Sequence, residues 1–124
     1  MEKVVVDSHV LFWFFTENPK LSSKARNLIQ GANEVIVPSI VLMEILYILE
    51  KSKLSARFVE ILSELRFRRY TAYPLDLSIV TQTLFISSRI EMHDRIIVAT
   101  AQFFDCFLFS KDPEIQKIYQ KTIW

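Results

Sequence analysis

Short apolar runs alternate with longer stretches of helical periodicity along this chain, and that alternation constrains the fold more than any other feature. Five runs predict β-strands, at residues 4–6, 35–37, 70–73, 107–109 and 122–124. The first, second and fourth runs are apolar without polar alternation, which is typical of parallel strands covered on both faces. The sequence therefore predicts an α/β domain with a mainly parallel central sheet of four to five strands.

Capping residues indicate where several of the intervening helices begin and end. Ser22 suits the N-cap of a helix over residues 23–30, and Gly31, the one glycine of the chain, is expected as its left-handed C-cap. Pro38 and Pro113 are each expected in the first turn of a helix. One helix is thus predicted between the first two strands. Further helices are predicted over residues 55–67, 76–87 and 94–104.

Chain length and apolar patterning favour one soluble domain. The 124 residues are enough for one core without disulfides, so residues 1–124 are expected to form a single domain. The longest apolar runs fall far short of the roughly 18 to 20 residues that span a bilayer, so no membrane segment is predicted. The N-terminus lacks a secretory-signal pattern, which favours the cytoplasm. Cys106, the single cysteine, is expected to be a buried hydrophobe without a chemical role.

Charge and hydrophobicity bear on the partners of the chain. The net charge of +1 is too small to indicate a nucleic-acid partner by itself, so any such binding requires a local patch. The 51% hydrophobic content suggests that some apolar side chains are buried against another chain. A homodimer is the expected outcome.

Four acidic residues are predicted at the edge of the sheet where the strands end. Asp7 directly follows the first strand, and Asp112 follows the fourth after two residues. Glu44 lies less than two turns into the helix after the second strand, and Asp94 lies at the start of another helix. Ligands of open parallel sheets bind beyond the carboxyl ends of the strands, so these four carboxylates are expected to converge.

Each acid also has a purely structural explanation. Glu44 has mostly apolar neighbours on its helix face, so it is expected to need a cation or a donor, and a Lys or Arg at the core edge would suffice. Asp94 could simply complement a helix dipole, Asp112 could be an ordinary N-cap, and Asp7 could be a turn residue at a strand end. These explanations do not account for four acids at one edge of a sheet.

Convergent carboxylates indicate a hard metal ion. Close carboxylates raise one another's pKa unless a cation compensates their charge. Oxygen donors without a convincing His and Cys set favour Mg²⁺ or Mn²⁺ over zinc. Such ions recurrently support phosphodiester hydrolysis. The predicted catalytic and metal-binding residues are therefore Asp7, Glu44, Asp94 and Asp112.

The sequence around each acid resembles a motif of the PIN-domain family, and the resemblance covers nearly the whole chain. The four segments are Val-Val-Val-Asp7-Ser8, Pro38-Ser-Ile-Val-Leu-Met-Glu44, His93-Asp94-Arg-Ile-Ile-Val-Ala and Leu108-Phe-Ser-Lys-Asp112. The group that the chain most resembles is the VapC-like toxins of prokaryotic toxin–antitoxin pairs. The resemblance implies a PIN-like α/β/α sandwich and a Mg²⁺-dependent endoribonuclease that cleaves RNA, dimerises and is inhibited by a small VapB-like antitoxin.

Residues beside the acids are candidates for auxiliary roles. Ser8 and Ser110 are candidates to hydrogen-bond the carboxylates or the phosphate, although hydroxyls that bond their own turns are an equal alternative. Glu114 matches a position where some PIN domains have a further acid, although a solvated glutamate at a helix start is more common. Arg95 and Lys111 are candidates for contacts to RNA phosphates.

Other features have weaker functional interpretations. The basic cluster Lys51, Lys53, Arg57, Arg66, Arg68 and Arg69 is more typical of a solvated helix face than of an RNA site. His9 and His93 are interpreted as packing or edge residues. Most of the aromatic residues at positions 12–15 are expected in the core, and one or two could line a groove for a partner helix. The alternative function is a non-catalytic PIN-fold interaction module that dimerises and binds a protein or RNA without cleavage.

Overall fold

A five-stranded sheet forms the centre of the computed structural model, which describes residues 2–67 and 69–124. Its strands are β1 Lys3–Val6, β2 Glu34–Pro38, β3 Tyr70–Tyr73, β4 Phe107–Phe109 and β5 Thr122–Ile123. Their order is β3-β2-β1-β4-β5, and every neighbouring pair is parallel. Val4, Val5 and Val6 of the central strand are fully buried. The predicted α/β fold with a parallel sheet is confirmed.

Seven α-helices flank the sheet in the described part of the chain. They are α1 Ser8–Phe15, α2 Ser23–Gly31, α3 Ser39–Lys51, α4 Phe58–Glu64, α5 Leu77–Gln82, α6 Met92–Phe104 and α7 Pro113–Ile118. The segments predicted as helices over 55–67 and 76–87 are each divided into an α-helix and a 3₁₀ turn, at Ser55–Arg57 and Thr83–Phe85. Within these residues, every helix is too short or too polar to traverse a bilayer.

The segment after β1 forms a helix that the sequence pattern did not predict. Two helices, α1 and α2, connect β1 to β2, where one was expected. The sequence of α1 is Ser-His-Val-Leu-Phe-Trp-Phe-Phe, so apolar residues occupy nearly every side of it and hide the period of 3.6 residues. The Oδ1 of Asp7 accepts a hydrogen bond from the Val10 N–H at 3.0 Å, which is the usual contact of an N-cap. This helix start fixes Asp7 at the end of β1.

Two predicted helix boundaries are wrong. Gly31 is the last residue of α2, and its φ is not positive. The C-cap is Ala32, which has an extended conformation. Pro38 is the last residue of β2, where its ψ of 139° is extended, and α3 begins only at Ser39. A proline fixes φ but leaves ψ free, so it suits the strand end as well as a first helical turn.

Candidate metal centre

An open cleft of about 650 Å³ lies at the edge of the sheet where β1 and β4 end. Acidic side chains dominate its polar lining, and they come from four separate segments of the chain: Asp7, Glu44, Glu91 with Asp94, and Asp112. The structure therefore brings the four predicted acids to one cleft. It also adds Glu91, which the sequence did not indicate.

Asp7 is the most deeply placed of these acids. Its side chain caps α1, and its backbone N–H donates to the carbonyl of Phe109 at 3.1 Å, which ties the ends of β1 and β4 together. Burial raises the pKa of Asp7 to about 6, although hydrogen bonds from Ser110 and from the Val10 N–H act in the opposite direction. A carboxylate in this position is costly to ionise unless a cation is close.

Glu44 extends from α3 with both of its oxygens near a donor. The Ser8 hydroxyl donates to Oε1 at 2.5 Å, and Oε2 lies 3.8 Å from His93 Nδ1. The side chain is 32% exposed, and Tyr47, one turn later, is 61% exposed, so the surroundings of Glu44 are less apolar than its helix neighbours suggested. In the described part of the chain, the basic group within 4.0 Å of Glu44 is a histidine, not a Lys or Arg.

Asp94 and Asp112 form a close carboxyl pair across the cleft. Burial, the Asp112 charge and a side-chain hydrogen bond between the two carboxyls together raise the pKa of Asp94 to about 7. Asp112 also caps α7, because its Oδ1 accepts from the Glu114 N–H at 2.9 Å. The capping role predicted as an alternative for Asp112 is thus present. It involves one of the two carboxylate oxygens.

The predicted auxiliary residues divide into those that support the acids and one that does not. Ser8 bonds Glu44, and the fully buried Ser110 accepts a hydrogen bond from the Asp112 N–H at 3.1 Å. Glu114 lies outside the lining of the cleft and pairs with Lys117 at 3.4 Å on the exposed side of α7. The two serines therefore hold acids in place, whereas the side chain of Glu114 does not line the cleft.

The two candidate RNA-binding residues have different surroundings. Lys111 lines the cleft, with its Nζ 5.8 Å from the centre of the Trp13 ring and 5.6 Å from that of Trp124. Arg95 is absent from the lining residues of the cleft, and its Nη2 donates to the carbonyl of Thr83 at 2.7 Å. The structure therefore gives Arg95 a role in holding α6 to the preceding turn. Arg68 of the basic cluster lies outside the described residues.

Glu91 and His93 are the residues of the cleft whose roles the sequence did not indicate. Glu91 caps α6, because its Oε2 accepts from the N–H groups of His93 and Asp94 at 2.8 and 3.1 Å. Its Oε1 lies 3.2 Å from His93 Nδ1. Glutamate is not among the preferred N-cap residues, so the sequence signal was limited to an acid three residues before Asp94.

The oxygen donors of the cleft fit a hydrated Mg²⁺ or Mn²⁺ ion. Within residues 2–67 and 69–124, no three acidic, His or Cys side chains form a closed set of metal ligands. Mg²⁺ does not require such a set, because it commonly binds one or two carboxylates and retains several water molecules. Burial, with a smaller contribution from neighbouring carboxylates, raises the pKa values of Asp7 and Asp94, so their ionised forms need compensation by a positive charge. A divalent cation would provide that compensation.

The fold and the site define a class of protein. It is an α/β domain with a parallel sheet and an acidic cleft at the edge where the strands end. A family model described as PIN domain matches residues 4–121. The chain belongs to the PIN domain family.

Solved structures with the same fold cover nearly the whole chain. A toxin–antitoxin complex from Klebsiella pneumoniae superposes with a TM-score of 0.73 at 16% identity, covering 98% of this chain and 96% of the other. VapBC2 from Rickettsia felis, bound to a promoter DNA fragment, gives 0.72 at 16% identity with the same coverage. VapC20 from Mycobacterium tuberculosis, a Sarcin-Ricin loop cleaving toxin, gives 0.70 at 12% identity, covering 92% and 93%. No curated protein matches the sequence.

Proposed function

We propose that this chain is a Mg²⁺- or Mn²⁺-dependent endoribonuclease and the toxin of a VapBC-type toxin–antitoxin pair. The observation that carries the proposal is the convergence of Asp7, Glu44, Asp94 and Asp112 on one cleft of a PIN domain. Support for the toxin role comes from the structural neighbours, which include a toxin–antitoxin complex and a loop-cleaving toxin. A toxin that cleaves cellular RNA would act in the cytoplasm.

In the proposed mechanism, Asp7, Glu44 and Asp94 would hold the main ion, directly or through water. Asp112 would help to hold a second ion or to orient a water molecule. A bound divalent ion would supply activation of water and stabilisation of the leaving oxygen.

Hydrogen bonds hold several of these acids in position to bind an ion. Capping of α1 fixes Asp7, and the Ser8 hydroxyl fixes one oxygen of Glu44. Burial and the neighbouring Asp112 carboxyl raise the pKa of Asp94 to about 7, so a bound cation would stabilise the ionised form of Asp94. Lys111 is positioned at the cleft to meet a backbone phosphate of the RNA.

Exposed apolar surface supports two protein partners. Leu77, Leu84 and Phe85, on α5 and the turn that follows it, are each more than 75% exposed, and a homodimer would cover such a patch. A second cleft of about 560 Å³ includes Phe12 and Phe15 in its lining, and we assign it to a segment of a small VapB-like antitoxin.

The toxin assignment is tested by the oligomeric state and by partner capture. Light scattering of the purified chain at about 100 µM should give the mass of a dimer, since an apolar patch of this kind favours self-association. The product of a small neighbouring reading frame should co-purify with the chain. A Phe15→Glu variant should lose that product while it keeps the dimer mass. A monomeric chain that captures no such product would contradict the toxin assignment and leave the nuclease assignment standing.

A further inference from the structure

His93 and Glu91 form a bridge between the two helices that carry Glu44 and Asp94. The Nδ1 of His93 lies 3.2 Å from Oε1 of Glu91, the N-cap residue of α6. The same nitrogen lies 3.8 Å from Oε2 of Glu44 on α3. The other oxygen of Glu91 accepts the backbone N–H groups of His93 and Asp94. One carboxylate therefore fixes both the first turn of α6 and the imidazole that faces Glu44.

Glu44 needs such support because packing alone does not fix its side chain. A glutamate has three rotatable bonds, so ordering its side chain costs conformational entropy. About a third of this side chain is exposed to solvent. The Ser8 hydroxyl holds Oε1, and in the described residues the second basic or hydroxyl group near the carboxylate is the His93 ring, beside Oε2. The two contacts together orient the carboxylate toward the cleft.

We propose that His93 is a positioning residue of the metal site: its Nδ1 makes an electrostatic contact with Glu44, and Glu91 fixes the place of the ring. The inference rests on the proposed metal-dependent function. The imidazole acts through the carboxylates, so its loss should weaken ion binding without removing a ligand. Outer partners of metal ligands typically contribute about 10- to 100-fold to metal affinity or activity.

Two substitutions at this position separate the polar contact of Nδ1 from the volume of the ring. The amide nitrogen of an asparagine stands close to the place of the imidazole Nδ1, so His93→Asn keeps a donor there. His93→Leu fills a similar volume without a donor. Met92→Leu is the matched control, because Met92 lies in the same helical turn, is 64% exposed and does not line the cleft.

The test is calorimetric titration of the full chain with Mn²⁺ in the absence of RNA. His93→Leu should weaken Mn²⁺ affinity by about 10-fold, whereas His93→Asn should stay within about threefold of wild type. All three variants should unfold at nearly the wild-type temperature, since the His93 side chain is 39% exposed. This combination of weaker ion binding and unchanged unfolding distinguishes positioning from a general structural role.

Each contrary result has a distinct meaning. Wild-type affinity in His93→Leu would overturn the positioning role, and so would a loss in His93→Asn as large as that in His93→Leu. If His93→Leu fails to fold, His93→Ala takes its place, because it also removes the Nδ1 group, and the same comparison with His93→Asn applies. A wild-type chain that binds no Mn²⁺ would overturn the proposed metal site itself.

Discussion

Replacing Asp94 by Asn is expected to lower the rate of RNA cleavage by at least about 100-fold while the protein remains folded. Loss of a residue that only supports a metal ligand already lowers metal affinity or activity by about 10- to 100-fold. The substitution removes the charge of a carboxyl that is paired with Asp112 inside the cleft, and the backbone N–H that bonds Glu91 is unchanged. Asp7→Asn and Glu44→Gln should give comparable losses. The measurement is the initial rate of cleavage of a single-stranded or loop RNA at saturating Mg²⁺.

Asp105→Asn is the matched control for these variants. Asp105 lies at the other end of α6, is exposed and pairs with Lys121 at 2.8 Å. It adopts a left-handed conformation that asparagine also tolerates, so the change should preserve the fold. Its cleavage rate should equal that of wild type. Near-wild-type cleavage by Asp94→Asn would mean that the acids are misassigned, and unfolding of the variant would indicate a structural role instead.

The second large effect concerns stability without metal. Burial raises the pKa of Asp7 from 3.8 to about 6, so between these values the folded chain binds more protons than the unfolded chain. Ionisation of Asp7 therefore lowers the free energy of unfolding as pH rises through this range. Asparagine keeps the N-cap of α1 but does not ionise. The free energy of unfolding of Asp7→Asn minus that of wild type should grow by about 2–3 kcal/mol between pH 4 and pH 7.

Denaturant unfolding in EDTA at a series of pH values measures this difference. Asp76 caps α5 through the Ile79 N–H at 3.0 Å outside the cleft, so Asp76→Asn controls for the capping change itself. Added Mg²⁺ should stabilise wild type more than Asp7→Asn at pH 7, because binding to the folded state adds to its stability. A difference that stays constant with pH would contradict the view that Asp7 lacks a compensating partner.

The parts of the fold that the sequence predicted are those that local patterning determines. Uninterrupted apolar runs such as residues 4–6 have little alternative to a strand covered on both faces, and parallel order then places Asp7 and Asp112 at one edge. The helix α1 was missed because its apolar residues do not concentrate on one side. Gly31 was misjudged because a glycine permits a left-handed conformation without requiring one.

The sequence predicts the acids of the candidate site better than it predicts the contacts that support them. Four acids could be placed because each one follows a strand or lies within the first two turns of a helix at a known edge of the sheet. The contact of His93 with Glu44 depends on how α6 lies beside α3, and no local pattern reports that distance. The same limit applies to Arg95, whose side chain turns to Thr83 although its neighbour Asp94 faces the cleft.

The central claim is that the acidic cleft uses a divalent ion to cleave RNA, and its most direct test is cleavage by the purified wild-type chain with and without a chelator. Asp94→Asn, purified in the same way, shows whether any cleavage comes from a contaminating nuclease. Cleavage should require Mg²⁺ or Mn²⁺, stop in excess EDTA, return when the ion is restored, and be absent from the variant. Undiminished cleavage in EDTA, or equal cleavage by the variant, would contradict the claim. Partner binding without any cleavage would favour the non-catalytic interaction module instead.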